Sequence, residues 1–198
     1  EVLRRMEIGE TAFEFPDALR VRTAPAFEIR GTQFSQSGVA LGKGKVRQWT
    51  DAELRHAILD FALAGLNTVE IHEELGAKDV RYQVAQEFGL KTLAHDNPNV
   101  GEGPPEWRAS ESIGREHFLC PSVPAAREAL LKRAEERYRN VPPLDYIRFA
   151  GGDGGGCECD RCKPYGRTFI HLTEDIAAVI RKYQPIAQFF ITNQKFDN

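Results

Sequence analysis

"LAGLNTVEIH", residues 63–72, holds a helix end, a stop and a strand in succession. Gly65, Leu66 and Asn67 interrupt an amphipathic run, and Thr68 to His72 is the short, β-branched kind of segment that favours extended chain. Successive side chains of a strand point to opposite faces, so Glu70 and His72 share one face, with Val69 and Ile71 on the other. A one-sided helix running into such a strand is a βα unit. How often the unit repeats decides the fold.

Outward from this stretch the pattern recurs. Upstream, "AFEIRGTQFS" (26–35) predicts a strand near 27–31 that ends in a polar turn. Thr50 and Glu53 have the spacing of a capping box and open a helix with Leu54, Ile58, Phe61 and Ala62 on its apolar face. Downstream, Val80, Val84 and Phe88 mark a helix closed by Gly89, and "KTLAH" (91–95) predicts the third strand. A polar stretch rich in Gly and Pro, 96–117, follows; loops of that length inside a compact domain are usually functional or mobile. "FLCPS" (118–122) predicts a return to strand. The helix of Leu130, Leu131, Ala134 and Tyr138 then runs to the Pro142-Pro143 stop. "YIRFAGGD" (146–153) predicts the next strand, near 146–150. A helix faced by Phe169, Leu172, Ile176, Val179, Ile180 and Tyr183 ends before Pro185, and "AQFFITNQ" (187–194) predicts a last strand.

One-sided helices alternating with short apolar runs predict an α/β fold with a parallel sheet covered by helices. A (β/α)8 barrel and an open doubly wound sheet both fit. The barrel is favoured because each strand exit carries a polar residue: Gln33, Glu73, Asp96, Asp153 and Gln194. A barrel gathers its site from many strand ends, an open sheet from one switch point. Residues 27–198 supply about five strands, whereas a whole barrel takes roughly 250 residues. The expectation is the N-terminal half of a TIM-type (β/α)8 barrel over 27–198. Residues 1–26 read as the tail of a preceding domain or a linker. The remaining barrel half would come from the same longer chain or from an assembly.

Composition narrows the partners. Of 198 residues, 41% are hydrophobic and 28% charged, an ordinary globular balance. The net charge of −3 argues against a nucleic-acid footprint, which would be basic. No apolar run approaches the ~20 residues of a membrane span, and the first residues lack the apolar core of a signal peptide.

Two clusters carry candidate chemistry. The first lies at the strand exits: Asp153 after two glycines, Glu70 and Glu73 on and after the second strand, and His72 beside them. His95 and Asp96 close the third strand and can bind sugar hydroxyls. Asn193 and Gln194 end the last strand as hydrogen-bond donors. Trp107, in the long loop, can stack on a pyranose ring. Each has a plainer reading as a turn, loop or packing residue. The second cluster is "GGDGGGCECDRCKPYG" (151–166), where Cys157, Cys159 and Cys162 have the spacing of metal ligands. Zinc favours four thiolate or imidazole ligands. Cys120, near the preceding strand exit, is the fourth candidate and His171 the reserve. Free thiols or one local disulfide remain the alternative. A closed all-cysteine zinc site would brace the loop carrying Asp153, and no organic cofactor is expected.

With the strand ends placed, "FEIRG", "LAGLNTVEIH" and "GGD" (151–153) resemble the first, second and fourth strand motifs of glycoside hydrolase family 20 β-N-acetylhexosaminidases. "CPSVPAAREAL", "GGDGGGCECDRCKPYG" and "FFITNQKF" resemble segments of divergent bacterial proteins with family-20-type barrels. The resemblance implies a carbohydrate substrate, an N-acetylhexosaminide hydrolysed with help from its own acetamido group, and an extracellular or periplasmic setting. It implies roles for Arg30 as a sugar-hydroxyl ligand and Asp153 as a catalytic or orienting carboxylate. The chain departs from the pattern at Gly154, where the family's general acid stands, and at Ser35 and Phe149. A glycosidase is therefore one expectation. A non-catalytic carbohydrate-binding barrel and a zinc-braced structural module are the others.

Overall fold

The computed structural model describes residues 7–8, 13–14, 24–32, 39–42, 45–71, 75–110, 117–151 and 157–192. The chain divides into two compact units, Glu1–Arg30 and Gly31–Asn198. In the first, β1 (Glu7–Ile8) pairs antiparallel with β2 (Phe13–Glu14), setting Ile8 opposite Phe13.

The second unit is built on a five-stranded sheet. Its strands are β3 (Gly31–Thr32), β6 (Thr68–Ile71), β7 (Lys91–Asp96), β8 (Tyr146–Phe149) and β9 (Gln188–Ile191). Between β3 and β6 a hairpin of β4 (Val39–Gly42) and β5 (Lys45–Arg47) forms a separate two-stranded sheet. The five main strands lie side by side in chain order, every pair parallel. A doubly wound sheet reverses its order at a switch point; a barrel wall does not. The arrangement is that of the N-terminal half of a (β/α)8 barrel.

Among the described residues four α-helices make the returns: α1 (Asp51–Leu63), α2 (Val80–Phe88), α3 (Pro124–Tyr138) and α4 (Tyr165–Ile180). The capping box opens α1: Thr50 Oγ1 accepts from the Glu53 N–H, and Glu53 Oε2 accepts from the Thr50 N–H. Arg47 adds two hydrogen bonds to the same carboxylate, which helps to pull Glu53 down to about 2. Helix α2 starts on Asp79 and ends at Gly89, whose φ of 64° few side-chain-bearing residues tolerate.

Register sorts the sheet's two faces. Val69, Thr92, Ala94, Asp96, Ile147, Phe149 and Phe189 fall on the face that meets the helices. Ala94, Ile147 and Phe149 pack there against Leu130 and Ala134 of α3 and Leu172 and Ile176 of α4. Burying a leucine or isoleucine of this kind contributes about 1.5–3 kcal/mol. The opposite face carries Glu70, Leu93, His95, Tyr146, Arg148 and Phe190, the positions that look into a barrel.

Three sequence expectations need correction. Residues 27–30 are not strand; β3 starts at Gly31, and Phe27 is 74% exposed. Residues 118–122 form no strand but two isolated antiparallel bridges, Val100 to Phe118 and Arg108 to Leu119. Pro121 removes a backbone donor there, and Phe118, Leu119 and Cys120 are buried as packing residues instead. The β4–β5 hairpin was not anticipated, although the Gly42-Lys43-Gly44 turn signal lies in the sequence.

The entries of β7 and β8 are fastened by Asp145. Its carboxylate accepts from Lys91 Nζ at 2.7 Å, from the Thr92 N–H at 2.9 Å and from Thr92 Oγ1 at 3.2 Å. Burial opposes its ionisation, but the Lys91 and Thr92 donors together outweigh it and hold the carboxyl below its ordinary value. A folded-state pKa below the unfolded one gives stability that is complete above about pH 4 and lost as acid protonates the folded group. Denaturant unfolding followed down from neutral pH should show Asp145→Asn losing less stability than wild type below that point. Parallel acid profiles would discount Asp145.

Candidate functional site: an inner-face charge cluster and a four-cysteine knot

The barrel-facing side of the sheet joins three charged or titratable side chains from three strands. Glu70 comes from β6, His95 from β7 and Arg148 from β8. Arg148 Nη2 donates to Glu70 Oε1 at 2.7 Å and lies 2.6 Å from His95 Nδ1. Glu70 Oε1 stands 3.6 Å from the same ring nitrogen. The Glu70 side chain is 6% exposed, that of Arg148 22%. A carboxylate this buried is costly unless paired, and Arg148 supplies the pairing. The Arg148 Nε atom is itself buried without a partner among the described residues, so the guanidinium retains a donor. The cluster occupies the C-terminal part of its strands, the end where barrels place their chemistry.

The neighbouring residue takes the other side. Asp96 follows His95, so alternation turns it toward the helices, where its side chain is 1% exposed. Arg133 of α3 donates to Asp96 Oδ1 at 2.7 Å and to the Asn97 carbonyl at 3.1 Å. Arg137 Nε lies 4.0 Å from Asp96 Oδ2. The sequence grouped Asp96 with His95 as a sugar ligand; its geometry instead fastens α3 to the sheet. Asp96→Ala strips Arg133 of its buried counter-charge and should destabilise by on the order of 3 kcal/mol, measured by denaturant unfolding. A loss under about 0.5 kcal/mol would show that the pair does not hold α3.

Trp107 ends a short 3-10 turn, Pro105–Trp107, and packs half-buried against the main core. An added Cβ at Gly103 would meet its ring at 2.6 Å, so the indole is seated on backbone rather than held at a loop tip. Arg30 belongs to the first unit, where its Nη1 donates to the Phe27 carbonyl at 2.7 Å. Glu73, His72, Asp153, Asn193 and Gln194 lie outside the described residues, as do the exits Gln33 and Ser35.

The second cluster is the cysteine knot. Cys120, in the loop before α3, meets Cys157, Cys159 and Cys162 of the segment before α4, with all four Sγ atoms within 4.8 Å of one another. Cys120 Sγ lies 3.8 Å from Cys159 Sγ and 3.5 Å from Cys162 Sγ. A disulfide would need about 2.05 Å. Four sulfurs at about 2.3 Å from a tetrahedral zinc stand roughly 3.8 Å apart, so the donors present fit a metal ion. His171 is not among them; it is exposed on α4, with Nδ1 3.1 Å from Glu174 Oε2.

Local groups favour charge on one sulfur. Cys157 is drawn down to about 4 by the Cys162 thiol, against the opposing effect of burial, with further help from the Cys159 and Ser110 backbone. Burial pushes Cys120 up to about 11, and the neighbouring Cys157 raises Cys162. Ser122 Oγ lies 3.1 Å from both the Arg161 carbonyl and Cys162 Sγ, and its single hydroxyl hydrogen can be given to one or the other. Tyr165 and Phe169 wall the knot with apolar surface.

Comparison with known proteins returned solved structures alone: no family model and no curated protein matches the chain. The chain is similar to an α-galactosidase from Thermus thermophilus, in complex with p-nitrophenyl α-D-galactopyranoside, at 11% identity and a TM-score of 0.46. It is also similar to the debranching enzyme of Nostoc punctiforme, at 10% identity and a TM-score of 0.46. The first match covers 73% of this chain and 35% of the other; the second covers 82% and 45%. The chain thus spans less than half the length of either.

Arg148 is the residue that sequence reading missed. The available signal was an arginine between Ile147 and Phe149, a charge in the middle of an otherwise apolar strand.

Proposed function

We propose that this chain is the front wall of a glycoside-hydrolase-like barrel that acts on carbohydrate, with Glu70 as a site carboxylate and Arg148 and His95 as its partners. One observation carries the reading: three strands contribute a carboxylate, a guanidinium and an imidazole to one spot on the barrel-facing side. A sheet face that needed only to fill a barrel would be lined with branched apolar residues. Sugar hydroxyls both donate and accept, and a set mixing donors with an acceptor matches them. Asp153, which follows β8 in the sequence, remains the second candidate carboxylate.

The family-20 resemblance makes an N-acetylhexosaminide the first substrate to try, with the substrate's amide taking the place of a protein nucleophile. Gly154 withholds the usual acid from the position after Asp153, so that role would fall to another carboxyl group. For the knot, zinc is the metal we propose, held by four thiolates. A site filled by four protein ligands leaves no open position for catalysis, so the ion would brace the loops around β8. The full-length protein should hydrolyse at least one member of a panel of p-nitrophenyl glycosides that includes the N-acetyl-β-D-glucosaminide. Failure on every member, with no carbohydrate binding by calorimetry, would overturn the proposal. Binding without turnover would favour the non-catalytic barrel, the reading that the missing acid supports.

A further inference from the structure

The chain that leaves β7 is held in two different ways along its length. Near Gly101 the hold is apolar packing. Leu119 and Leu130 are buried there, and an added Cβ at Gly101 would lie 3.0 Å from the first and 3.2 Å from the second. The Gly101 N–H donates to the His117 carbonyl at 2.9 Å, and the Leu119 N–H to the Asn99 carbonyl at 2.8 Å.

Residues 107–110 lean on the cysteine knot instead. The Cys120 N–H donates to the Trp107 carbonyl at 2.7 Å. Ala109 packs against the cysteine cluster itself, and its N–H donates to the Phe118 carbonyl at 2.8 Å. Ser110 Oγ accepts from the Glu158 N–H at 2.8 Å. Cys120 is one of the four candidate ligands, and Glu158 lies between two others, Cys157 and Cys159. The segment therefore touches the knot from both of the chain stretches that build it.

A thiol is a weak donor and a weak acceptor. Sulfur contacts alone give the two stretches little reason to stay together, whereas an ion bound by all four sulfurs ties them directly. Segments with few buried apolar contacts open most readily. Losing the ion would loosen both anchors of 107–110 at once and leave the Leu119–Leu130 packing in place.

We infer that the metal held by the four cysteines fixes residues 107–110 against the knot, with Ser110 as a positioning residue. Metal occupancy thereby sets the order of the loop that leaves β7 beside His95. The inference rests on the metal reading above and not on the carbohydrate one.

Amide hydrogen exchange of the full-length protein tests it, with zinc content measured on the same sample. After zinc is removed by chelator, the Ala109 amide should exchange at least about tenfold faster, the Gly101 amide by less than about threefold, and Thr68–Ile71 of β6 at its former rate. Ser110→Ala with zinc still bound should speed exchange at Ala109 by at least about threefold, and Ser110→Thr, which keeps the hydroxyl, should restore protection. An Ala109 rate that does not respond to zinc removal would overturn the inference, and so would loosening that reaches β6 equally. An Ala109 rate unchanged in Ser110→Ala would remove Ser110 as a positioning residue. A chelator-free preparation without bound metal would sink the metal reading and this inference together. Bound zinc with unresponsive exchange would sink this inference alone.

Discussion

Glu70→Gln is expected to lower turnover by about 10²–10⁴-fold on whichever aryl glycoside the full-length protein hydrolyses, the usual scale for losing one acid–base group. Glutamine keeps an oxygen within reach of Arg148, so the 2.7 Å contact has a successor. The negative charge is lost. If Glu70 only neutralises Arg148, the cost falls on folding instead: a lower melting temperature with a near-normal kcat. That outcome would remove Glu70 from the mechanism. Glu70→Gln combined with Arg148→Met separates the two roles, because it relieves the unpaired cation and should recover stability without recovering rate.

Metal removal is the second large effect. Protein purified without chelators should carry about one zinc per chain by mass spectrometry. Cobalt in its place should show the absorption of tetrahedral thiolate coordination. Structural zinc is worth about 10–16 kcal/mol in apparent binding energy in zinc-finger peptides. Even a contribution of about 3 kcal/mol here would lower the melting temperature by roughly 6–12 °C, at about 2–4 °C per kcal/mol for a unit of this size. Cys162→Ser should behave like the stripped protein and no longer respond to chelator. The difference between loaded and stripped protein should shrink in acid, because ligand thiols must lose their protons to bind and protons then compete with the metal. Metal-free protein from a chelator-free preparation, melting where chelator-treated protein melts, would sink the zinc proposal.

Much of the sheet was legible because helices and strands alternate with clean stops. Gly65, Gly89 and the Pro142-Pro143 pair each end an element near where the sequence ends it. Thr50 and Glu53 announced α1 to the residue, since a capping box is local chemistry. The "FLCPS" segment misled for a physical reason: apolar residues that pack down beneath a loop resemble those of a strand until hydrogen-bond partners are known. Glu70 and His95 were recognisable as polar residues in apolar strands. Asp96 was not separable from His95 by composition, only by alternation, which sends neighbours to opposite faces. Arg148 passed as an ordinary charge because its partners lie 78 and 53 positions away in the chain. Cys120 was tied to the other three cysteines on the premise of a strand exit at 118–122; no strand forms there, and Cys120 meets them from the loop before α3 instead.

The Glu70–Arg148–His95 contact also acts on how the wall is assembled. Parallel strands have little to choose their alignment beyond the pattern of their side chains, and a slip of one position exchanges the two faces of a strand. For β8 that exchange would drive Arg148 among the apolar side chains of α3 and α4 and turn Ile147 and Phe149 toward Glu70. Burying two unpaired charges costs several kcal/mol, whereas misplacing apolar side chains of similar size costs far less. The three residues therefore work as a proofreading mark: β6, β7 and β8 can complete it in a single alignment, and a slipped strand forfeits it.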